Sequence, residues 1–153
     1  MGDRKPIGVA YRDQDIDGGE IGRTDPQLVR GTQVFATEEL GYSSSAFGTV
    51  TQLTNKSTAV TLNTPTGRIT MDDAALNNNS TVVFRMNNST IITNDVVIAN
   101  ISGGVGAAGD YLAYVADIGT GFADIALANR KGGGGSLSEA VQITYTIIHN
   151  RVD

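Results

Sequence analysis

A chain of 153 residues and 16.0 kDa is the size of one ordinary domain, or of a smaller domain with an appendage. It contains no cysteine and no tryptophan, which removes disulfides, thiolate metal sites and a cysteine nucleophile. A net charge of -5 and a pI near 4.7 argue against a partner recognised through phosphate neutralisation, so no nucleic acid is expected. No run approaches the roughly 18 apolar residues that would span a bilayer, so no membrane is expected either. The opening residues MGDRKPIGVAYRDQDID carry no apolar core of a signal peptide, and a soluble protein without an export signal is expected.

Residues 1–47 hold 13 of the 27 charged side chains, and their apolar residues sustain neither a helical nor a strand period. Such a segment buries little by itself and reads as an extended N-terminal arm that orders on another surface. Within it, Asp13, Asp15, Asp17 and Gly18 reproduce the first half of an EF-hand calcium loop. The second half fails, because the closing position is Thr24 and the apolar pairing position is Glu20. Asp13, Asp15 and Asp17 are thus the candidate metal ligands, and neither a tight metal site nor any cofactor is expected. The stretch 41–47, small and polar, reads as a linker.

From Thr49 the apolar residues alternate with period two. Val50 with Leu53, Val60 with Leu62, and Ile69 with Met71 are separated by turn residues at 55–57 and 64–67. Val82, Phe84 and Met86 alternate with Val83 and Arg85, and Asp95 to Ile101, Gly109 to Val115 and Phe122 to Ala128 continue the series. The last run, Ser138 to His149, places Val141, Ile143, Tyr145 and Ile147 on one face and Gln142, Thr144 and Thr146 on the other. About eight short strands, each with one polar face, predict an all-β antiparallel sandwich, jelly-roll-like, over residues 48–153. At most one helical turn is expected, at Asp72 to Leu76. The 19 glycines, with many Ser, Thr and Asn, suit tight connections.

Several patterns resemble chemistry. Gly104-Val-Gly-Ala-Ala-Gly109 matches the dinucleotide fingerprint, with Asp124 at the distance of a ribose-binding carboxylate. That motif needs a helix after its third glycine, and Asp110-Tyr-Leu-Ala-Tyr-Val115 has strand spacing, so a hairpin loop is expected instead. His149 is the only histidine; Ser136 and Ser138 are near it in sequence but occupy no nucleophile elbow. Asp72 and Asp73 are adjacent, a spacing that suits a turn better than a catalytic carboxylate pair. Asn55, Asn78, Asn79, Asn87, Asn88 and Asn100 fit the glycosylation pattern but read as turn residues capping local backbone. No catalytic constellation is found, and no enzyme is expected.

The order Gly48-Thr-Val-Thr-Gln-Leu-Thr-Asn-Lys-Ser-Thr-Ala-Val-Thr-Leu-Asn63, Gly67-Arg-Ile-Thr-Met71, Ala74-Ala-Leu76, Asp95-Val-Val-Ile98, Gly109-Asp-Tyr-Leu112 and Gly135-Ser-Leu-Ser-Glu-Ala-Val-Gln-Ile143 resembles a β-rich structural domain of tailed-bacteriophage virion proteins. It departs from the usual form at Lys131 to Gly135, where four consecutive glycines lengthen the turn. The resemblance implies a phage particle protein that forms trimers, is made in the bacterial host cytoplasm and is located on the virion. A capsid decoration (cement) protein on the outer surface of the head is one expectation, binding the major capsid protein through its arm and stabilising the lattice as a homotrimer. Arg4, Lys5, Arg12, Arg23 and Arg30 would then pair with capsid acids while Ile7, Val9, Ile21 and Val34 enter shallow pockets. The alternative is a tail fibre or spike component binding a host receptor or glycan, for which nine aromatics and no tryptophan offer little to stack on sugar rings.

Overall fold

The computed structural model describes residues 40–150; the arm candidates Arg4, Lys5, Ile7, Val9, Arg12, Asp13, Asp15, Asp17, Ile21, Arg23, Arg30 and Val34 lie outside the described residues. A compact unit begins at Leu40. Its strands are β1 (Phe47–Thr51), β2 (Val60–Thr61), β3 (Thr66–Thr70), β4 (Thr81–Asn87), β5 (Val96–Gly103), β6 (Tyr111–Gly119), β7 (Phe122–Asn129) and β8 (Gln142–Ile148). They form two four-stranded sheets: sheet A in the order β1-β3-β8-β5 and sheet B in the order β2-β4-β7-β6. The all-β sandwich expected from the alternation is therefore present.

One cluster joins the two inner faces. Ile69, Val97, Ile143, Tyr145 and Ile147 of sheet A meet Phe84, Met86, Ile125 and Leu127 of sheet B, all buried. Side chains alternate across each strand, so the run Gln142-Ile-Thr-Tyr-Thr-Ile-Ile148 sends Ile143, Tyr145 and Ile147 inward and its threonines outward. The pairings β3 with β8 and β4 with β7 are antiparallel and nested one inside the other, as in a jelly roll.

Two ladders depart from the antiparallel expectation, since β1 pairs with β3, and β2 with β4, in parallel. The reason is the path of the chain. Successive strands from β1 to β4 lie in alternate sheets; each crossing reverses the chain, so two crossings restore its direction in the original sheet. The same arching corrects the glycine loop 104–109, which carries the chain from β5 in sheet A to β6 in sheet B rather than turning a hairpin within one sheet. Among the described residues the tight hairpin is β6–β7, where Gly119 pairs with Phe122.

Other local expectations shift as well. Residues 72–76 form no helical turn: Leu76 instead exchanges backbone hydrogen bonds with Leu137, 2.7 and 3.0 Å. The last strand starts at Gln142, not Ser138, because the Val141 amide bonds back to the Glu139 carbonyl at 3.0 Å. The stretch 41–47 is more than a linker: Ser44–Ala46 make a 3-10 turn, the Tyr42 hydroxyl donates to the Ile147 carbonyl, and Phe47 opens β1. Gly48 and Gly67 face each other in the β1–β3 ladder. A Cβ on Gly67 would lie 2.8 Å from both the Gly48 carbonyl oxygen and Leu62 Cδ2, so the glycine pair forms the notch that seats Leu62 against the core.

Candidate functional site

The residues with apparent chemistry are dispersed and occupied in holding the fold. Gly104 (φ +68°) begins the arch after β5, and a Cβ there would fall 2.2 Å from the Ala140 carbonyl oxygen. Beyond Gly109 the chain enters β6, the strand expected there. Asp124 lies far from that loop, near the β6–β7 turn, where both its oxygens accept from Arg85 at 2.8 Å. The guanidinium holds the Asp124 carboxyl below the usual range and stacks on Phe122, 3.7 Å from its centroid. His149 lies past the end of β8, whereas Ser136 and Ser138 precede its start, so the strand separates them.

His149 instead meets Asp95, with Nδ1 2.9 Å from Oδ2. Asp95 also accepts from the amides of Ile92 at 2.9 Å and Asn150 at 3.0 Å. Burial pushes its carboxyl up, but these amides and the histidine outweigh burial, leaving it below its ordinary value. The carboxylate thereby ties the turn before β5 to the chain leaving β8.

A second knot surrounds Lys56, only 3% exposed. Its ammonium donates to the carbonyls of Asp72 and Glu139, the latter at 2.7 Å. Burial pushes the Lys56 amine down, although Asp72, Asp73 and Glu139 oppose that shift. Gln52 completes the knot, donating to the Thr58 carbonyl at 2.7 Å and accepting from the Asp72 amide at 3.2 Å. Nearby, the Tyr111 hydroxyl donates to Glu139 Oε2 at 2.7 Å, which holds the glutamate low. Asp72 Oδ1 accepts from the Ala74 amide at 2.8 Å, the turn role expected for Asp72-Asp73.

Asparagines do comparable work. Asn55 Oδ1 accepts from the Ser57 amide at 2.9 Å and Asn88 Oδ1 from the Thr90 amide at 3.0 Å, as expected of turn caps, whereas Asn87 ends β4 and Asn100 lies inside β5, paired with Thr144, rather than in turns. Buried Asn129 donates to the carbonyls of Leu76 at 2.9 Å and Gly135 at 3.0 Å, which fixes the loop that contains the four glycines. Among the described residues no buried side-chain polar atom lacks a partner, and no group of three or more His, Asp or Glu is placed to hold a metal ion. No helix among them is long and apolar enough to cross a membrane.

What stands free is on the outer faces. On sheet A, Val96 and Ile148 are paired across β5–β8, and the next outward row runs Ile98, Thr146, Thr66, Phe47. Val96, Ile98, Ile148 and Phe47 are all exposed. The row after that, Asn100, Thr144, Arg68, Thr49, carries the only charge in these three rows, Arg68. Beside them an open recess of about 540 Å³ is lined by residues 41–44, Phe47, Thr66 and Thr146, with no charged side chain.

Sheet B shows a matching sequence of rows. Leu112, Ala128 and Thr81 form one, Tyr114, Ala126 and Val83 the next, and Asp117, Asp124 and Arg85 the third. Ala126 and Ala128 lie on this outward side of β7 yet are 0% and 1% exposed, whereas Val83, Leu112 and Tyr114 beside them are 44 to 48% exposed. These faces escaped sequence reasoning because outward Ile, Val, Leu and Tyr within β-runs look like core residues until the register is known. Comparison of the chain with family models, with curated proteins and with solved structures found no match.

Proposed function

We propose that this protein is a bacteriophage virion structural protein, a capsid decoration (cement) protein that attaches to the major capsid protein through its N-terminal arm and stabilises the head lattice as a homotrimer. One observation carries the reading. The polar side chains of the interior are spent on tying loops to the sandwich, while both outer sheet faces leave large apolar side chains in water. Apolar patches of this kind mark association surfaces, and assembly is the activity that such a surface supports without a catalytic centre. The division of the chain supports it too, because the charge-rich residues 1–39 fall outside the strand-bearing unit that begins at Leu40.

The test is reconstitution. Purified full-length protein and a version lacking residues 1–39 are added to particles that lack it, and bound copies per particle are counted. Full-length protein saturates the heads and the truncated form stays folded and oligomeric but unbound; equal occupancy would exclude the anchoring role. Cutting at residue 47 would be the wrong design, since it removes Tyr42, bonded to the Ile147 carbonyl, and the first residue of β1. Binding to tails rather than heads would favour the fibre reading.

A further inference from the structure

We infer that copies of this chain meet head to tail, the outer face of sheet A on one copy seated against the outer face of sheet B on the next. The inference rests on the trimeric reading above and specifies which surfaces make the trimer.

Three observations converge. The first is apolar area: sheet B presents Val83, Leu112 and Tyr114, 44 to 48% exposed, and sheet A presents Val96, Ile98 and Ile148, 42 to 55% exposed, beside threonines. Side chains exposed to that degree on both faces lose water and gain dispersion contacts when the faces meet. The second is order: each face runs through two apolar rows and then a charged one. Rows two residues apart on neighbouring strands repeat at roughly 7 Å on either sheet, so when the apolar rows coincide the charged rows do as well.

The third is sign. The charged row of sheet A holds Arg68, which has no carboxylate partner among the described residues, and that of sheet B holds Asp117 and Asp124 against a single Arg85. One face carries a surplus positive charge, the other a surplus negative one. Pairing sheet A with its own copy brings two Arg68 side chains into one interface, and pairing sheet B with its own copy does the same for Asp117; like charges there oppose association. Unlike faces remove both conflicts. Contacts between unlike patches are heterologous, and they close into a ring when successive copies are related by a third of a turn.

The absence of native cysteine makes the test clean. The double variant Ile98→Cys with Val83→Cys, oxidised at a concentration where the protein is assembled, should give covalent trimers on a non-reducing gel, and neither single variant should link. Tyr114→Cys replaces Val83→Cys if that substitution disturbs folding. In parallel, Arg68→Asp and Asp117→Arg should each raise the concentration needed for assembly roughly tenfold, and the combined reversal should recover most of that loss. Dimers from Ile98→Cys alone would overturn the inference in favour of a symmetric contact. A wild-type trimer in which neither cysteine pair links and the charge reversals do nothing would overturn it while leaving the trimeric reading intact. Wild-type protein that sediments as a monomer and binds particles singly would remove both.

Discussion

The ammonium of Lys56 sits 2.7 Å from the backbone oxygen of Glu139, a residue 83 positions further along the chain, and so pins the loop after β1 to the segment entering β8. Lys56→Met keeps the aliphatic stem but strands the Asp72 carbonyl oxygen without its donor and leaves that of Glu139 with the Val141 amide alone. A loss of about 2 to 4 kcal/mol in unfolding free energy is expected, read as a lower urea midpoint at unchanged m-value. A change below about 0.5 kcal/mol would mean that water replaces the ammonium without penalty.

Asp95 gives the pH dependence. Its folded carboxyl lies below its ordinary value, so the unfolded chain binds this proton more readily. The stabilisation is thus complete above the unfolded value of about 4 and is lost as pH falls through the lower folded value. Asp95→Asn should lower stability at pH 7 by about 1 to 3 kcal/mol and flatten the part of the acid-unfolding curve below pH 4. Curves for wild type and variant that stay parallel down to pH 2 would contradict this assignment.

Two glycines of the arch after β5 separate backbone conformation from crowding. Gly104 and Gly109 both have positive φ, +68° and +88°, but a Cβ meets the Ala140 carbonyl only at Gly104; nothing lies within 4 Å at Gly109. Both alanine variants should lose about 1 to 2 kcal/mol from the left-handed conformation, and Gly104→Ala about 1 to 3 kcal/mol more from overpacking against backbone. Equal thermal shifts for the two would rule out the close approach of Ala140.

Asn129 controls the loop with four glycines. Asn129→Ala removes hydrogen bonds to Leu76 and Gly135 and the one its Oδ1 receives from the Lys131 amide. Hydrogen exchange should accelerate at Lys131 and through the glycines, with a global loss of about 2 kcal/mol. Exchange confined to its wild-type pattern would show that the loop is held by other contacts.

The strands were legible because alternation in Val82 to Met86 or Ile143 to Ile147 reports directly which side chains face a core. Pairing was not. A period of two assigns faces but says nothing about neighbours, so the parallel ladders of β1 with β3 and β2 with β4 left no trace in the residues themselves. The buried polar ties were hidden for a related reason: Lys56, Gln52 and Asn129 bind backbone carbonyls, and a carbonyl is the same whichever residue bears it. Asn55 and Asn88 could be read because their partners lie two residues away. The outer faces needed both kinds of knowledge, which residues point outward and which strands stand side by side.

The position of β8 bears on when the protein acquires its surfaces. The last of the eight strands among the described residues is an interior member of sheet A, inserted between β3 and β5, and its Ile143 pairs with Ile69, which was synthesised 74 residues earlier. During translation, β3 and β5 therefore have a gap between them until residue 148 has cleared the ribosome, and contacts so distant in sequence close slowly. A chain that lacks β8 has no continuous sheet A. The topology thereby delays completion of sheet A, and of the outer face it presents, until its central strand has been made.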